Sequence, residues 1–138
     1  MAYASVVVGT DGSTTAEQAV RTAAELAGAA PLVVVTAFGA PASGGPAAPV
    51  LAERDAAEVL AERGRAVAEA AGAATVEARA AQGKPADVLV GLAVERGADL
   101  IVVGSLGMTG PSRFSLGGVA NDVTHAAPCD VLVVHTGR

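Results

Sequence analysis

A chain of 138 residues is sized for one domain around a single continuous core, and a formal charge of −5 with only 9 scattered Lys and Arg argues against a nucleic-acid-binding surface. Hydrophobic residues make up 51%, yet aromatics are only 2% and Trp is absent, so the core must be built from Ala, Val and Leu. The lone Cys129 excludes an intramolecular disulfide framework and a cysteine-rich metal site.

The first apolar run, Ser5-Val6-Val7-Val8, reads as a strand covered on both faces, followed by the loop Gly9-Thr10-Asp11-Gly12-Ser13. Thr14 and Glu17 have capping-box spacing at the start of a first helix, with Ala16, Ala19, Val20, Ala23 and Ala27 on its apolar face and an end near Gly28. Residues 32–35 form the second strand pattern. The Pro- and Gly-rich run 39–49 reads as a mobile linker inside the domain. A second helix follows, with Ala57, Leu60, Ala61, Val67 and Ala68 on one face and Gly72 at its end.

Residues 75–78 alternate and read as an edge strand. Pro85 suits the first turn of a third helix, with Val88, Leu89 and Leu92 inward and Gly97 closing it. Residues 100–103 form a fourth strand. A fourth helix spans 118–126 with Val119, Ala120 and Val123 inward, and 131–134 is the last strand. Strand and helix alternate throughout. Right-handed crossovers then give one α/β domain over residues 1–138, a doubly wound five-stranded parallel sheet with four helices on both faces.

The fourth strand runs directly into Gly104-Ser105-Leu106-Gly107, and Gly117-Gly118 open the fourth helix. Glycines let the backbone approach a phosphate, and the first-turn N–H groups of a helix point at it. Between 104 and 118 there is no acid and one base, Arg113, so the loop is electropositive in an acidic protein. Ligands of such sheets sit beyond the carboxyl ends of the strands where strand order reverses. That brings loop 9–13 beside the glycine loop if the first and fourth strands are neighbours. Taken alone, the glycines equally fit a tight turn, and Asp11 a turn former.

Lys84 after Gly83 does not complete a P-loop, because residue 78 is Ala and Pro85 stands where Ser or Thr is needed. His125 suits the negative end of the fourth helix, and His135 is either a dimer-seam or a surface residue. No catalytic motif is present, and Asp11 is the only acid in the two loops, so the expectation is no enzyme, or at most slow hydrolysis of a phosphate ligand. With no apolar stretch of about 18 residues and no leader pattern, the chain is expected to be soluble and cytoplasmic, without membrane contact.

Together these residues resemble the universal stress protein family. Its G-x2-G-x9-G-[S/T] pattern is met at Gly104, Gly107 and Gly117, set among similar segments at 8–13, 83–87, 98–105 and 127–134. The resemblance implies strand order 3-2-1-4-5 and a homodimer through strand 131–135, which also hides an apolar edge. It implies adenosine contacts at Thr10, Asp11 and the backbone of Ala37. It further implies a ribose and phosphate cradle formed by Gly104, Ser105, Gly107, Met108, Gly110, Gly117, Gly118 and Val119.

The implied ligand is ATP or another adenine nucleotide, with Mg2+ beside its phosphates, held by a stress-response sensor or nucleotide reservoir that is at most a slow ATPase. The alternatives are a nucleotide-free dimeric interaction module and a preference for AMP or cyclic AMP. One position departs from the family. Gly118 replaces its Ser or Thr, removing a hydroxyl whose hydrogen bond to a charged phosphate contributes about 1.5–3 kcal/mol.

Overall fold

Val6, Val7 and Val8 point alternately to opposite faces of their strand, yet all three are fully buried, because helices cover both sides of the sheet. The computed structural model describes residues 3–39, 47–105 and 118–135. Its elements are β1 (Val6–Gly9), α1 (Thr14–Ala27), β2 (Pro31–Phe38), α2 (Ala47–Ala70), β3 (Thr75–Gln82), α3 (Pro85–Arg96), β4 (Leu100–Gly104), α4 (Gly118–Ala126) and β5 (Asp130–Val134). All strand pairs are parallel and the order is β3-β2-β1-β4-β5, as expected.

One face of the sheet carries Val6, Val8, Leu32, Val34, Leu100 and Val102 beneath Ala19, Val20, Ala23 and Ala27 of α1 and Ala68 of α2. The other carries Val7, Val33, Val35, Ile101 and Val103 beneath Val88, Leu89 and Leu92 of α3 and Ala120 and Val123 of α4. Each buried Val or Leu contributes roughly 1.5–3 kcal/mol, and the alanines let the helices lie close over them.

Three local expectations need correction. The N-cap of α1 is Ser13, whose hydroxyl accepts from Ala16 N–H at 3.1 Å, while Thr14 is the first helical residue. Glu17 therefore lies one position too late for a capping box, and it pairs with Arg21 at 3.5 Å instead. The linker is also shorter than 39–49, because α2 starts at Ala47. Pro49 is tolerated there because a first-turn N–H has no intrahelical partner. Residues 40–46 lie outside the described residues. Finally, β2 and β3 extend to Phe38 and Gln82, with β3 at the sheet edge as its alternation indicated.

At the amino ends of the strands, Asp99 accepts N–H groups from Ala4 and Ser5, each at 3.0 Å, and these bonds hold its carboxyl below the usual range. On the β3 edge, Arg96 reaches Glu77 at 2.7 Å and Arg79 reaches Glu95 at 3.1 Å. The Arg96 bond holds the Glu77 carboxyl low as well. Such exposed pairs contribute up to about 1 kcal/mol each. Among the described residues, no helix is long and apolar enough to cross a membrane.

Candidate functional site

β1 and β4 are adjacent, but the chain leaves β1 toward β2 on one side and leaves β4 toward β5 on the other. The space beyond their carboxyl ends is therefore open, at the switch point of the sheet. A cleft of about 150 Å³ lies there. Gly9, Thr10, Asp11 and Ser13 line it from the β1–α1 loop, Thr15 and Ala16 from α1, and Val35 and Ala37 from β2. Pro85, Val88 and Leu89 of α3, Val103 and Gly104 of β4, and Val119 and Ala120 of α4 complete it. Most of the wall is apolar. Hydroxyls and the Asp11 carboxylate concentrate on the β1–α1 side.

That loop is held by its own hydrogen bonds. Thr10 Oγ1 accepts from Gly12 N–H at 3.1 Å, Asp11 Oδ1 accepts from Ser13 N–H at 2.9 Å, and the Ser13 and Thr15 hydroxyls meet at 3.1 Å. Gly12 has φ +84°, a conformation that a side chain would strain. Only one Asp11 oxygen holds the turn.

The placement of Ala37 follows from strand lengths. β1 ends at Gly9, paired with Val35, while β2 continues to Phe38. Thr10 N–H donates to Val35 O at 2.9 Å, so odd-numbered residues of β2 turn their main-chain groups toward β1. Gly83 N–H donates to Phe38 O at 2.9 Å, so even-numbered ones face β3. The N–H and C=O of Ala37 therefore point to the β1 side, past the last paired residue of β1.

The structure thus brings Thr10, Asp11, Ala37, Gly104 and Val119 around one cleft. Ser105 lies off the lining; it is buried, and its N–H donates to Val134 O at 2.8 Å. Val119 was expected inward but is 37% exposed and faces the cleft, because Ala120 and Val123 share the core-facing side and residue 119 lies about 100° around the helix from 120. Gly118 begins α4 beside it. Its φ is not positive, and a methyl placed there would meet nothing within 4 Å. Gly107, Met108, Gly110, Gly117 and Arg113 lie outside the described residues.

Sequence reading missed the lining roles of Ser13, Thr15, Pro85, Val88 and Leu89. The last two looked like core residues only, and they serve both: methyl groups of Leu89 reach 3.2 Å from where a Gly9 Cβ would stand, so the α3 core face also floors the cleft. Lys84 is the exposed N-cap of α3 and makes no side-chain cap bond. His125 Nδ1 lies 2.8 Å from Asn121 O in the last turn of α4. Burial pushes the Cys129 thiol up, away from a reactive thiolate.

No cluster of metal-ligating side chains occurs among the described residues. Asp11 is the one carboxylate in the described lining, so Mg2+ fits only as a companion to phosphates that a ligand brings.

The universal stress protein family model matches residues 2–135. Universal stress protein Rv1636 of Mycobacterium tuberculosis is 40% identical over 144 aligned positions, which cover 98% of each chain. A crystal structure of a universal stress protein in complex with cAMP is 40% identical with a TM-score of 0.76, covering 99% of this chain and 100% of that one. The universal stress protein from Archaeoglobus fulgidus in complex with dAMP is 29% identical with a TM-score of 0.68, covering 99% of this chain and 100% of that one.

Proposed function

The chain belongs to the universal stress protein family, and from that premise we propose that its cleft binds an adenine nucleotide carrying a single phosphate in preference to ATP. The observation that carries this reading is the pairing of Asp11 with the Ala37 main chain across one apolar cleft. Adenine offers an amino donor beside a ring-nitrogen acceptor, and Ala37 offers one C=O and one N–H on the same side. Guanine presents the reverse pattern. Val35, Val88 and Leu89 supply apolar surface for the ring, and the Asp11 oxygen not used by the turn accepts from a ribose hydroxyl.

The phosphate then lies at the amino end of α4, where the N–H groups of Gly118 and Val119 and the helix dipole favour negative charge. Gly118 contributes no hydroxyl. A cradle with main-chain donors there suits one phosphate better than three, and the ligands of the two related structures, cAMP and dAMP, carry one phosphate each.

The cleft holds no second carboxylate in its described lining for metal-assisted hydrolysis, which favours binding over turnover. We read the protein as a cytoplasmic nucleotide sensor or reservoir of the stress response, acting as a homodimer through β5. Titration calorimetry with AMP, cyclic AMP, ATP and GMP tests the ligand. Heat with the first two, less with ATP and none with GMP is expected, with weaker but still measurable AMP binding in Asp11→Ala. No heat with any nucleotide would instead favour the nucleotide-free interaction module.

A further inference from the structure

None of the described residues of α2 lines the cleft, yet α2 backs both segments that face it. The lining takes Thr10, Asp11 and Ser13 from the β1–α1 loop but not Gly12. Gly12 faces the opposite way: a methyl on it would lie 2.5 Å from Leu60 Cδ2. One turn further along α2, a methyl on Gly64 would lie 3.2 Å from Thr10 Cγ2. Nearer the start of α2, Glu53 Oε1 accepts from Gly39 N–H at 3.1 Å, and the Arg54 guanidinium sits 5.3 Å from the Phe38 ring centroid. Phe38 and Gly39 directly follow Ala37.

Leu60 is half-buried and belongs to neither of the hydrophobic clusters on the two faces of the sheet. Its methyl groups rest on a glycine turn that has no side chain of its own. We propose that Leu60 is a positioning residue of the nucleotide site: it presses on Gly12 from behind and keeps Asp11 on the cleft side of the turn. The inference rests on the nucleotide-binding reading above. Asp11 is exposed and tied to the loop through one bond, to Ser13 N–H. Without Leu60 a gap opens behind Gly12, the turn relaxes into it, and the carboxylate withdraws from the ligand. Hydrogen bonds weaken steeply over such distances, so a support left loose by about 1 Å is enough to lose a contact.

The test is a double-mutant cycle on the full chain, with AMP as the titrant and calorimetry as the readout. Leu60→Ala is expected to weaken AMP binding roughly tenfold, and Leu60→Met to restore most of it. In an Asp11→Ala background, Leu60→Ala should cost no further affinity, because the contact it supports is already gone. Losses that add, or an unchanged affinity in Leu60→Ala, overturn the proposal. Should Leu60→Ala fail to fold, Leu60→Val carries the same cycle with a smaller gap. Leu26→Ala, at the other end of the sheet, controls for general loosening and should leave AMP affinity unchanged. Wild-type protein that binds no adenine nucleotide overturns the nucleotide reading and this inference with it; wild-type binding with additive losses overturns the role of Leu60 alone.

Discussion

Gly64 of α2 stands so close to Val34 of β2 that a methyl on Gly64 would lie 2.6 Å from Val34 Cγ1. Glycine inside a helix costs about 1 kcal/mol relative to alanine, so helix propensity alone favours Gly64→Ala. Packing decides the other way. Val34 is fully buried and its branched side chain is stiff, so it cannot yield to the new methyl. Overpacking a tight core costs typically 1–3 kcal/mol, and we expect a net loss of about 1 kcal/mol in urea unfolding. A stabilised Gly64→Ala would contradict this account of the α2 crossing.

Acid should unfold the protein partly through Asp99 and Glu77. Both carboxyls are held below their usual range, Asp99 by the N–H groups of Ala4 and Ser5 and Glu77 by Arg96. The native state therefore binds fewer protons than the unfolded chain as pH falls past about 4, the ordinary carboxylate value. Their stabilisation is complete above that pH and is lost as pH drops through the lowered native values. Asp99→Asn keeps an oxygen for the two N–H groups but no longer titrates. Unfolding midpoints measured across this range should fall less steeply with acid in the variant; identical slopes would exclude Asp99 as a contributor.

Thr36 lies on β2 with its hydroxyl buried and without a hydrogen-bond partner among the described residues. An unsatisfied buried hydroxyl costs about 1–3 kcal/mol. Thr36→Val preserves the shape and removes the polar atom, so denaturant unfolding should show a gain on the order of 1 kcal/mol. A clear loss of stability would mean that the hydroxyl is satisfied in solution.

Gly118→Ser places a hydroxyl at the start of α4, where open space surrounds the new Cβ and the backbone is unstrained. A hydrogen bond to a charged phosphate corresponds to about one to two orders of magnitude in affinity. We expect ATP affinity to rise relative to AMP by about tenfold or more. Unchanged affinity for both nucleotides in calorimetry would remove position 118 from the phosphate cradle, and an equal gain for both would place its hydroxyl at the first phosphate only.

β5 is an edge strand whose residues 131–134 are only half-buried. Ser105 N–H bonds to Val134 O, so even-numbered residues of β5 face β4 and the main-chain groups of Val131 and Val133 face outward. Pairing of two such edges about a two-fold axis would cover them. Sedimentation should show a dimer at micromolar concentration. Val133→Pro, which removes an outward N–H and spares the β4 ladder, should give a monomer. A monomeric wild type would end the dimer proposal.

The two-sided core was legible because continuous runs such as 6–8 and 100–103, alternating with helical patterns, read as strands covered on both faces, whereas the strand order came from the family resemblance and not from the runs themselves. Element edges were less so. The Ser13 cap was misplaced by one residue because Ser, Thr and Thr at 13–15 can all cap a helix, and only backbone geometry chooses among them. Val119 looked like core because a nine-residue helix leaves too few turns to separate its inner face from its shoulder. Asp11 stood out as the lone acid of its loop, whereas Leu60 gave no signal, since a leucine that supports a turn reads like any leucine on an apolar helix face.

β2 outlasts β1 by three residues, and this has a consequence for how base choice can change. Under the proposed reading the base is met by the peptide groups of residue 37, so exchanging the Ala37 side chain for another small one leaves the choice intact. A deletion of one residue upstream in β2 would turn those groups to the opposite edge and abolish it. Selectivity would then be stored as a count of residues in a strand, robust to point substitution and sensitive to frame within the sheet.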